Sequence, residues 1–488
     1  MKIVRVKCNG RPVALHEIRV SAHPINRVWP GYQRNPSQAE RAWFVQFDQS
    51  EPAALEIEFA DEPPTDLEVR PFSLGLTPER SGPRTVRLHL AKPAKFTLTP
   101  PDGHHALHVF ADEPLHCEPQ PGDLYFGSGE HDVGVIMPQP GQTVIIDSGA
   151  VVYGMIFCYQ ADDVRVVGHG ILNSSRLKCP KEAIAGEPGG ELMAACQKLG
   201  FGFRELYVGG QVVVWGSHHF TMRGVTMVDS PSWTVCVRND CKDVLLEDLN
   251  IVGQWRYNSD GIDICASTRV IIRSCFIRTF DDCIILRAPW LFGETPQMAV
   301  EDVLVEKCVL WCDWGMAMKA WCGELPCRIQ KCRFQDIDVI RIAHYAIFVT
   351  TKYGSTDSLV EDISWKDIRL DTDDFYPAPM LQASDEMTFP EHPAPYEPYA
   401  LVLDHGPLGH DTGNQGVCEA VDLSGYRLCY RNLRVENLRC SSRKLPVCLA
   451  PNAQLAIEDI TLLKVDCNRL EERGPVHALK VCGSDADA

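Results

Sequence analysis

The sequence predicts an all-β protein in which a right-handed parallel β-helix follows an N-terminal β-sandwich. Short runs of alternating polar and apolar residues fill the chain before residue 118, and apolar phrases recur at a near-regular interval after it. With 488 residues, the chain is also longer than one hydrophobic core usually serves. We therefore expect a sandwich domain at residues 1–118 and a β-helix domain at residues 119–488.

The N-terminal runs show the period-two pattern of half-buried strands. Clear examples are residues 54–59, 85–90 and 106–110, which Pro, Gly and Asp separate from their neighbours. Strands of this length with frequent turns are typical of an antiparallel sandwich. Residues 118–123, rich in Pro, Gln and Gly, are then expected to form the linker.

Apolar phrases recur after the linker roughly every 24 to 33 residues, a spacing that suits one coil of a parallel β-helix. They begin at Val225, Leu249, Cys275, Cys308 and Cys332. A propeller would need a longer, four-stranded repeat, and a leucine-rich repeat would need its Leu and Asn pattern. Because one coil buries little surface alone, the ends of the stack need caps.

Three segments have predicted roles outside the coils. The sandwich and residues 177–205, which look helical around residues 191–199, are expected to cap or wall the β-helix. The Pro-rich stretch at residues 375–398 has no periodicity and is either a flap or an active-site loop.

Composition excludes two classes of partner. The formal net charge of −18 argues against binding to nucleic acid or to an anionic membrane. The sequence also contains no run of eighteen apolar residues, so a membrane span is not expected. The oligomeric state stays open.

Cysteine usage predicts a reducing compartment. The chain has 21 cysteines, and most of them lie inside apolar strand-like runs, as Cys236 and Cys265 do. Cysteine in such a position behaves as a small buried hydrophobe, so we expect free thiols and no metal site. The start of the chain alternates like a strand and lacks the apolar region of a secretory signal. These features favour a cytoplasmic protein, or one whose N-terminus has been trimmed.

The most informative motif is Asn258-Ser259-Asp260-Gly261-Ile262-Asp263, followed one coil later by Asp281-Asp282-Cys283. Stacked coils would bring Asp260 over Asp281 and Asp282, at about 4.8 Å per rung. Carboxylates this close to one another raise each other's pKa, so one carboxyl can stay protonated near neutrality. Either motif alone is explained by a turn in which Asp and Asn side chains bond their own backbone. Paired carboxyls, in contrast, are what a glycosidase needs on the two sides of the bond that it cleaves.

These motifs, with Asp229-Ser230-Pro231-Ser232-Trp233 upstream, resemble those of glycoside hydrolase family 28, the polygalacturonases. The sandwich ahead of a β-helix is similar to the arrangement in family 49, the dextranases and isopullulanases. The resemblance implies hydrolysis of a glycosidic bond with inversion. It assigns Asp281 as the acid and Asp260 with Asp282 as the base that holds the attacking water. Asp263 is expected to be structural.

Two family motifs are altered. One coil after the acidic pair, where the family has Gly-His-Gly, this chain has Asp313-Trp314-Gly315, and the Gly-His-Gly around His169 comes too early and is expected in a turn. The family's Arg-Ile-Lys motif has Phe348 and Thr350 at its basic positions, with Lys352 two residues later. The resemblance implies that this basic pair binds the carboxylate of a uronate sugar. Loss of the pair therefore favours a neutral or differently decorated sugar.

The expected substrate-binding residues lie near these motifs and offer aromatic faces or polar groups to a sugar. They are Asn258, Trp255, Trp314, Lys319, His344, Lys352 and Tyr353, with Trp233, Trp290, Trp321 and Arg287 as further candidates. The sequence thus predicts an inverting glycoside hydrolase that needs no cofactor or metal. Its expected substrate is an oligosaccharide or polysaccharide, and short imported oligosaccharides are favoured. Polygalacturonase-type activity, a β-helix lyase or epimerase, and a non-catalytic carbohydrate-binding solenoid remain alternatives.

Overall fold

The computed structural model describes residues 2–21, 39–100, 103, 105–177, 210–256, 258–288, 295, 297–322, 326–342, 344–351, 357–372, 398–405 and 427–483. Within these ranges the regular structure is almost entirely strand, which confirms the all-β class. The predicted wall at residues 177–205 and the Pro-rich stretch at residues 375–398 lie outside the described residues, apart from the end residues 177 and 398.

The N-terminal region forms two five-stranded sheets. Its strands are β1 (Ile3–Cys8), β2 (Arg11–Val13), β3 (Leu15–Ser21), β4 (Ala39–Asp48), β5 (Ala53–Phe59), β6 (Glu68–Arg70), β7 (Glu79–Gly82), β8 (Thr85–Leu90), β9 (Ala94–Thr99) and β10 (Leu107–Asp112), with a short 3-10 helix at Phe72–Leu74. One sheet has the order β2-β1-β5-β8-β7 and the other β3-β4-β10-β9-β6. Apolar residues from both sheets, such as Ile57 and Leu98, form one core between them.

One pairing in the sandwich differs from the expected antiparallel arrangement. Strands β4 and β10 run parallel, with Leu107 beside Trp43. The sequence predicts an antiparallel sandwich as a whole, because its strands are short and separated by frequent turns. No hairpin joins these two strands, however, since β10 enters the sheet between β4 and β9. Without a tight turn, nothing forces the antiparallel direction.

The rest of the described chain is a parallel β-helix. Its strands are β11 (Leu124–Phe126), β12 (Gly129–Ile136), β13 (Thr143–Ile146), β14 (Ala150–Tyr159), β15 (Arg165–Val167), β16 (Ile171–Asn173), β17 (Val212–Trp215), β18 (Thr221–Arg223), β19 (Thr226–Val228), β20 (Val235–Arg238), β21 (Lys242–Glu247), β22 (Asn250–Val252), β23 (Ile262–Cys265), β24 (Thr268–Arg273), β25 (Phe276–Thr279), β26 (Ile284–Arg287), β27 (Val300–Glu306), β28 (Val309–Cys312), β29 (Met318–Cys322), β30 (Arg328–Arg341), β31 (Tyr345–Thr351), β32 (Ser358–Leu370), β33 (Tyr399–Leu403), β34 (Leu428–Cys440), β35 (Leu445–Leu449), β36 (Leu455–Val465), β37 (Cys467–Glu472) and β38 (Lys480–Cys482).

Each strand pairs in parallel with its counterpart one coil later. In one stack, β20, β23, β26, β29 and β31 lie side by side. We call these five strands the site sheet. Their inward residues Val235, Ile262, Ile284, Met318 and Ile347 form one column of the buried core. The coil stacking predicted from the recurring phrases is confirmed.

The later coils use fewer and longer strands. Strand β30 pairs with β27 along its first part and with β28 along its second part. Strands β32, β34 and β36 continue this stack with 13, 13 and 11 residues. One long strand thus replaces two short ones in these coils.

The sandwich docks against one flank of the β-helix through an apolar layer. Phe44 and Phe110 of the sandwich pack in one cluster with Phe276 and Trp311 of the coils. A hydrogen bond also joins the two regions. Nδ1 of His169, in the bend between β15 and β16, bonds Asp48 of the sandwich at 2.6 Å. The sandwich and the coils therefore share a buried interface.

Deeper in this interface lies an arginine. Arg278 is 1% exposed and donates to Nε2 of His108 at 3.1 Å. Burial, with the nearby Arg278 charge, holds the pKa of His108 well below its usual value. His108 therefore stays neutral and can accept this bond.

Among the described residues, no helix has the length and apolar character needed to cross a membrane.

Candidate active site

The site sheet brings the three predicted catalytic carboxyls together. The amide of Gly261 donates to the carbonyl of Asp282 at 2.8 Å, which stacks the first motif on the second. One oxygen from each of Asp260, Asp281 and Asp282 lies within 4.8 Å of the others. The side chains are also largely removed from water, because Asp260, Asp281 and Asp282 are only 2%, 8% and 3% exposed. This is the cluster that the motif spacing predicted.

Glycines permit this close stacking. A Cβ at Gly261 would lie 2.4 Å from the carbonyl oxygen of Cys283, and one at Gly315 would lie 2.5 Å from the amide nitrogen of Asp282. Neither neighbour is the end of a flexible side chain, so any larger residue would separate the coils. Gly315 of the altered motif therefore keeps a structural function even though Trp314 stands beside it in place of histidine.

Asp282 is fixed by the coil that follows it. Its Oδ1 accepts from the amide of Met316 at 2.7 Å, and its Oδ2 accepts from the ammonium of Lys319 at 3.1 Å. Lys319 is itself buried, at 7% exposure. The predicted substrate-binding residue Lys319 therefore contacts the triad directly.

Asp281 is held mainly by its own turn. Its Oδ1 accepts from the amide of Asp282 at 3.0 Å, and its carbonyl accepts from the hydroxyl of Thr279 at 2.5 Å. It is the most exposed of the three carboxyls. Asp281 is therefore the member of the triad with the most contact with solvent.

The surroundings of Asp260 favour its protonated form. Burial and the carboxyl of Asp281, followed by those of Asp263 and Asp282, raise the pKa of Asp260 well above its ordinary value. Arg287, whose Nη2 lies 3.7 Å from Asp260, only partly offsets this. The direction agrees with the expectation that one carboxyl of the cluster keeps its proton near neutrality. The residue whose protonated form is favoured is, however, one that the family resemblance assigns to the base.

Asp263, expected to be structural, is a fourth carboxyl of the same cluster. It is completely buried and bonds Nη2 of Arg287 at 3.2 Å. Burial raises the pKa of Asp263 to about 7, although Arg287 opposes the shift. The guanidinium of Arg287 lies between the rings of Trp233 and Trp321, 4.4 and 4.8 Å from their centroids. Arg287 therefore joins the acidic cluster to two of the candidate tryptophans.

The sequence contained a signal for Arg287 that motif matching undervalued. Once Ile262 is aligned with Ile284, Arg287 falls beside Cys265, two positions beyond Asp263 on the same face. Burial opposes the charge of Arg287, but the carboxylates led by Asp263 outweigh it and raise its pKa. It remains a cation within the cluster.

The aromatic candidates have different surroundings. Trp314 is half-buried and stacks on Phe280, with ring centroids 5.3 Å apart and planes at 5°. His344, which is 2% exposed, meets the edge of Trp314 at 6.0 Å. Asn258 is half-buried in the turn before Asp260, with φ of 54°. These three predicted residues thus lie on coils that carry the triad or follow it.

Trp255 is placed as a support and not as an open platform. It is 3% exposed, and its indole N–H donates to Asp229 at 2.9 Å. The guanidinium of Arg19, from strand β3 of the sandwich, lies 4.8 Å from its ring centroid. Its predicted stacking on a sugar ring does not match this buried position, because packing and Asp229 occupy the indole. The predicted residues Lys352 and Tyr353, and the candidate Trp290, lie outside the described residues.

The positions at which the family has basic residues are occupied by neutral side chains. Phe348 stacks in register with Lys319, whose ammonium lies 5.8 Å from the phenyl centroid. Thr350 donates to Asp404 at 2.7 Å. The described part of the altered motif therefore presents no positive charge at these two positions.

Comparison with known proteins locates the similarity in the same segment. The sequence model of Glycosyl hydrolases family 28 matches residues 209–288, which contain the triad. The resemblance to family 28 is confirmed. Exopolygalacturonase A of Aspergillus niger is 32% identical over 75 residues, 14% of this chain and 17% of that protein. A probable polygalacturonase of Arabidopsis thaliana is 35% identical over 72 residues, 14% of this chain and 16% of that protein. The chain thus matches less than a fifth of the length of these family 28 relatives.

Similarity in structure extends much further than similarity in sequence. Dex49A from Penicillium minioluteum superposes with a TM-score of 0.58 at 13% identity, over 95% of this chain and 88% of that protein. This match covers the sandwich as well as the β-helix. It confirms the order of the two regions that the resemblance to family 49 implied.

Proposed function

We propose that this protein is a glycoside hydrolase that cleaves a glycosidic bond with Asp260, Asp281 and Asp282. The observation that carries the proposal is the clustering of these carboxyls, within 4.8 Å of one another, in the segment that matches family 28. A binding solenoid would gain nothing from burying like charges together, since their repulsion and desolvation cost stability.

One proton shared within the cluster supplies the general acid. Asp281 is the most exposed carboxyl and is the donor to the leaving oxygen in this proposal. Asp260, whose pKa burial and Asp281 raise, holds this proton when no substrate is bound and passes it to Asp281 before the bond breaks, so that Asp260 is then ionised and can take a proton from the attacking water. Asp282, oriented by Met316 and Lys319, then holds the attacking water together with Asp260. Hydrolysis needs both an acid and a base on the two sides of the bond.

Inversion of configuration rests on the family resemblance. The nearest oxygens of the triad lie within 4.8 Å of one another, closer than the roughly 6.5–9.5 Å between carboxyl groups in typical inverting enzymes. The anomer of the fresh product therefore carries independent information. NMR of the first product is expected to show the inverted anomer, and a retained anomer would assign one aspartate as a nucleophile.

A neutral sugar fits the charges around the triad. Four carboxyls, those of Asp260, Asp263, Asp281 and Asp282, face the two cations Arg287 and Lys319. Both cations already bond carboxyls of the cluster, Arg287 at 3.2 Å and Lys319 at 3.1 Å. A uronate would bring another negative charge and forgo charged hydrogen bonds worth about 1.5–3 kcal/mol each. We therefore propose short neutral oligosaccharides, taken up into the cytoplasm, as substrates.

The test compares kcat/KM on galacturonan oligomers with kcat/KM on neutral α-linked oligosaccharides in one buffer. Neutral substrates are expected to win by at least about one to two decades, the equivalent of one charged hydrogen bond. A win for galacturonans would support the second candidate, polygalacturonase activity, which the names of the sequence relatives favour. Unsaturated products would instead identify a lyase.

A further inference from the structure

A residue of the sandwich domain reaches the loop that carries the catalytic motif. Arg19, on strand β3, donates through Nη2 to Oδ2 of Asp229 in an ion pair. The other oxygen of Asp229 accepts from the indole of Trp255 at 2.9 Å and lies 3.2 Å from Nε of Arg256. One carboxylate thus ties the sandwich to two consecutive residues of the coil.

These two residues lead directly into the triad. The carbonyl of Arg256 accepts from the hydroxyl of Ser259 at 2.6 Å and from its amide at 3.2 Å, which closes the turn ahead of Asp260. The guanidinium of Arg19 also lies 4.8 Å from the ring centroid of Trp255. The position of Asp260 over Asp281 therefore depends on a turn whose first residues are held from outside the β-helix.

The backbone supports the same contact. A Cβ at Gly253, which has φ of 69°, would lie 3.2 Å from Cβ of Ile18 and 3.4 Å from the carbonyl of Arg19. Strand β3 thus lies directly against the chain that runs from β22 to the catalytic turn. Close backbone approach and an ion pair at the same place restrict the turn more than either alone.

We infer that Arg19 is a positioning residue for the catalytic turn, so that the sandwich domain takes part in assembling the active site. This inference rests on the proposed function for its effect on rate. It predicts separately that the turn loosens when Arg19 is lost. A misplacement of about 1 Å at a reacting group costs up to about 100-fold in rate.

The test compares Arg19→Met with Lys95→Met. Lys95 also bridges the two domains, through a bond of 2.6 Å to the carbonyl of Asp248, and its ion pair is with Asp112 of the sandwich at 3.3 Å. Both variants lose one cation and keep an apolar stem. Arg19→Met is expected to lower kcat about 10–100-fold with a smaller effect on KM and to shift the pH profile, because Asp260 moves. Lys95→Met should keep the wild-type kcat and pH profile. Arg19→Lys should recover part of the kcat that Arg19→Met loses.

Hydrogen exchange gives a readout that needs no substrate. Exchange at the amides of Ser259 and Gly261 is expected to rise in Arg19→Met and to stay at the wild-type rate in Lys95→Met. Wild-type exchange and kcat in Arg19→Met, or equal losses in both variants, would overturn the inference. If the exchange differs as expected but the wild-type protein cleaves no glycoside, positioning of the turn stands and the proposed hydrolase function fails.

Discussion

At the scale of single residues, adjacent aspartates have different surroundings. Asp282 accepts hydrogen bonds from two groups of the next coil, the amide of Met316 and the ammonium of Lys319. Asp281 is held by its own turn and is more exposed. Asp260 is buried against both, which raises its pKa. Three residues of one type can therefore serve different steps of one reaction.

Replacing any of these three aspartates with asparagine should remove nearly all turnover. Asparagine keeps the shape and some of the hydrogen bonds but neither donates the proton to the leaving oxygen nor activates water. Because the three act as one unit, each single variant should lose about as much as the triple variant. The measurement is kcat/KM on the best substrate, with circular dichroism to check folding. A variant that keeps near wild-type turnover would remove that residue from the mechanism.

Asp263 should make stability fall as pH rises. Its folded-state pKa is about 7, against 3.8 for an ordinary aspartate. The folded protein thus binds this proton more tightly, so the contribution is full below about pH 4 and is lost as pH rises to about 7. Between these limits the wild-type protein should lose up to about 4 kcal/mol more than Asp263→Asn. Urea unfolding of both proteins across this range measures the difference, and parallel curves would contradict the assignment.

At the scale of elements, one bend of each coil shows a common backbone conformation. The residues there have positive φ between 51° and 61° and stack from coil to coil with largely alternating charge: Asp163, His219, Asp243, Arg269, Asp302, Lys331, Asp362, Asn432 and Asp459. Within this ladder Arg269 makes two bonds to Asp243, at 2.6 and 2.7 Å. Asp and Asn tolerate this backbone region better than other non-glycine residues.

A β-branched residue in this ladder should destabilise the protein. Asp302 has φ of 57°, so Asp302→Val should cost about 1–3 kcal/mol through backbone strain. Asp302→Asn removes the same charge but tolerates the conformation, and it should change stability by only a few tenths of a kcal/mol. Chemical denaturation of both variants tests this. Equal losses would show that charge, and not backbone conformation, governs the ladder.

At the scale of the whole molecule, the described cysteines are free thiols, and most of them are buried in the coils. Burial raises the pKa of Cys241 and of Cys332 to about 12 in each case. Since the thiolate is the reactive form, these groups are chemically quiet at neutral pH. Packing in the stacked core is their function in this structure.

The thermal midpoint should therefore not respond to reducing agent. The coils are held by apolar stacking and not by disulfides among the described residues, so dithiothreitol should leave the midpoint unchanged. Elemental analysis of purified protein should also find no zinc. A fall of several degrees with dithiothreitol would indicate a structural disulfide and argue against the proposed cytoplasmic location.

The sequence by itself determined the coil stacking and the clustering of Asp260, Asp281 and Asp282. Both follow from local regularities: apolar phrases repeat once per coil, and Asp260 and the Asp281-Asp282 pair occupy matching positions of successive coils. When stacking follows such a repeat, contacts one coil apart can be derived from spacing alone. The strand register also predicts that Arg287 lies near Asp263. The importance of this ion pair is evident only from the burial of both residues.

Only the tertiary structure decided how the sandwich contributes. Arg19 and Asp229 are 210 residues apart, and the docking of an irregular apolar layer sets their contact. The same docking covers Trp255, which the sequence predicts as a substrate-binding residue. The parallel pairing of β4 with β10 likewise depends on how distant strands meet. No repeat relates the sandwich to the coils, because their interface depends on the shapes of two complete surfaces, which spacing along the chain does not encode.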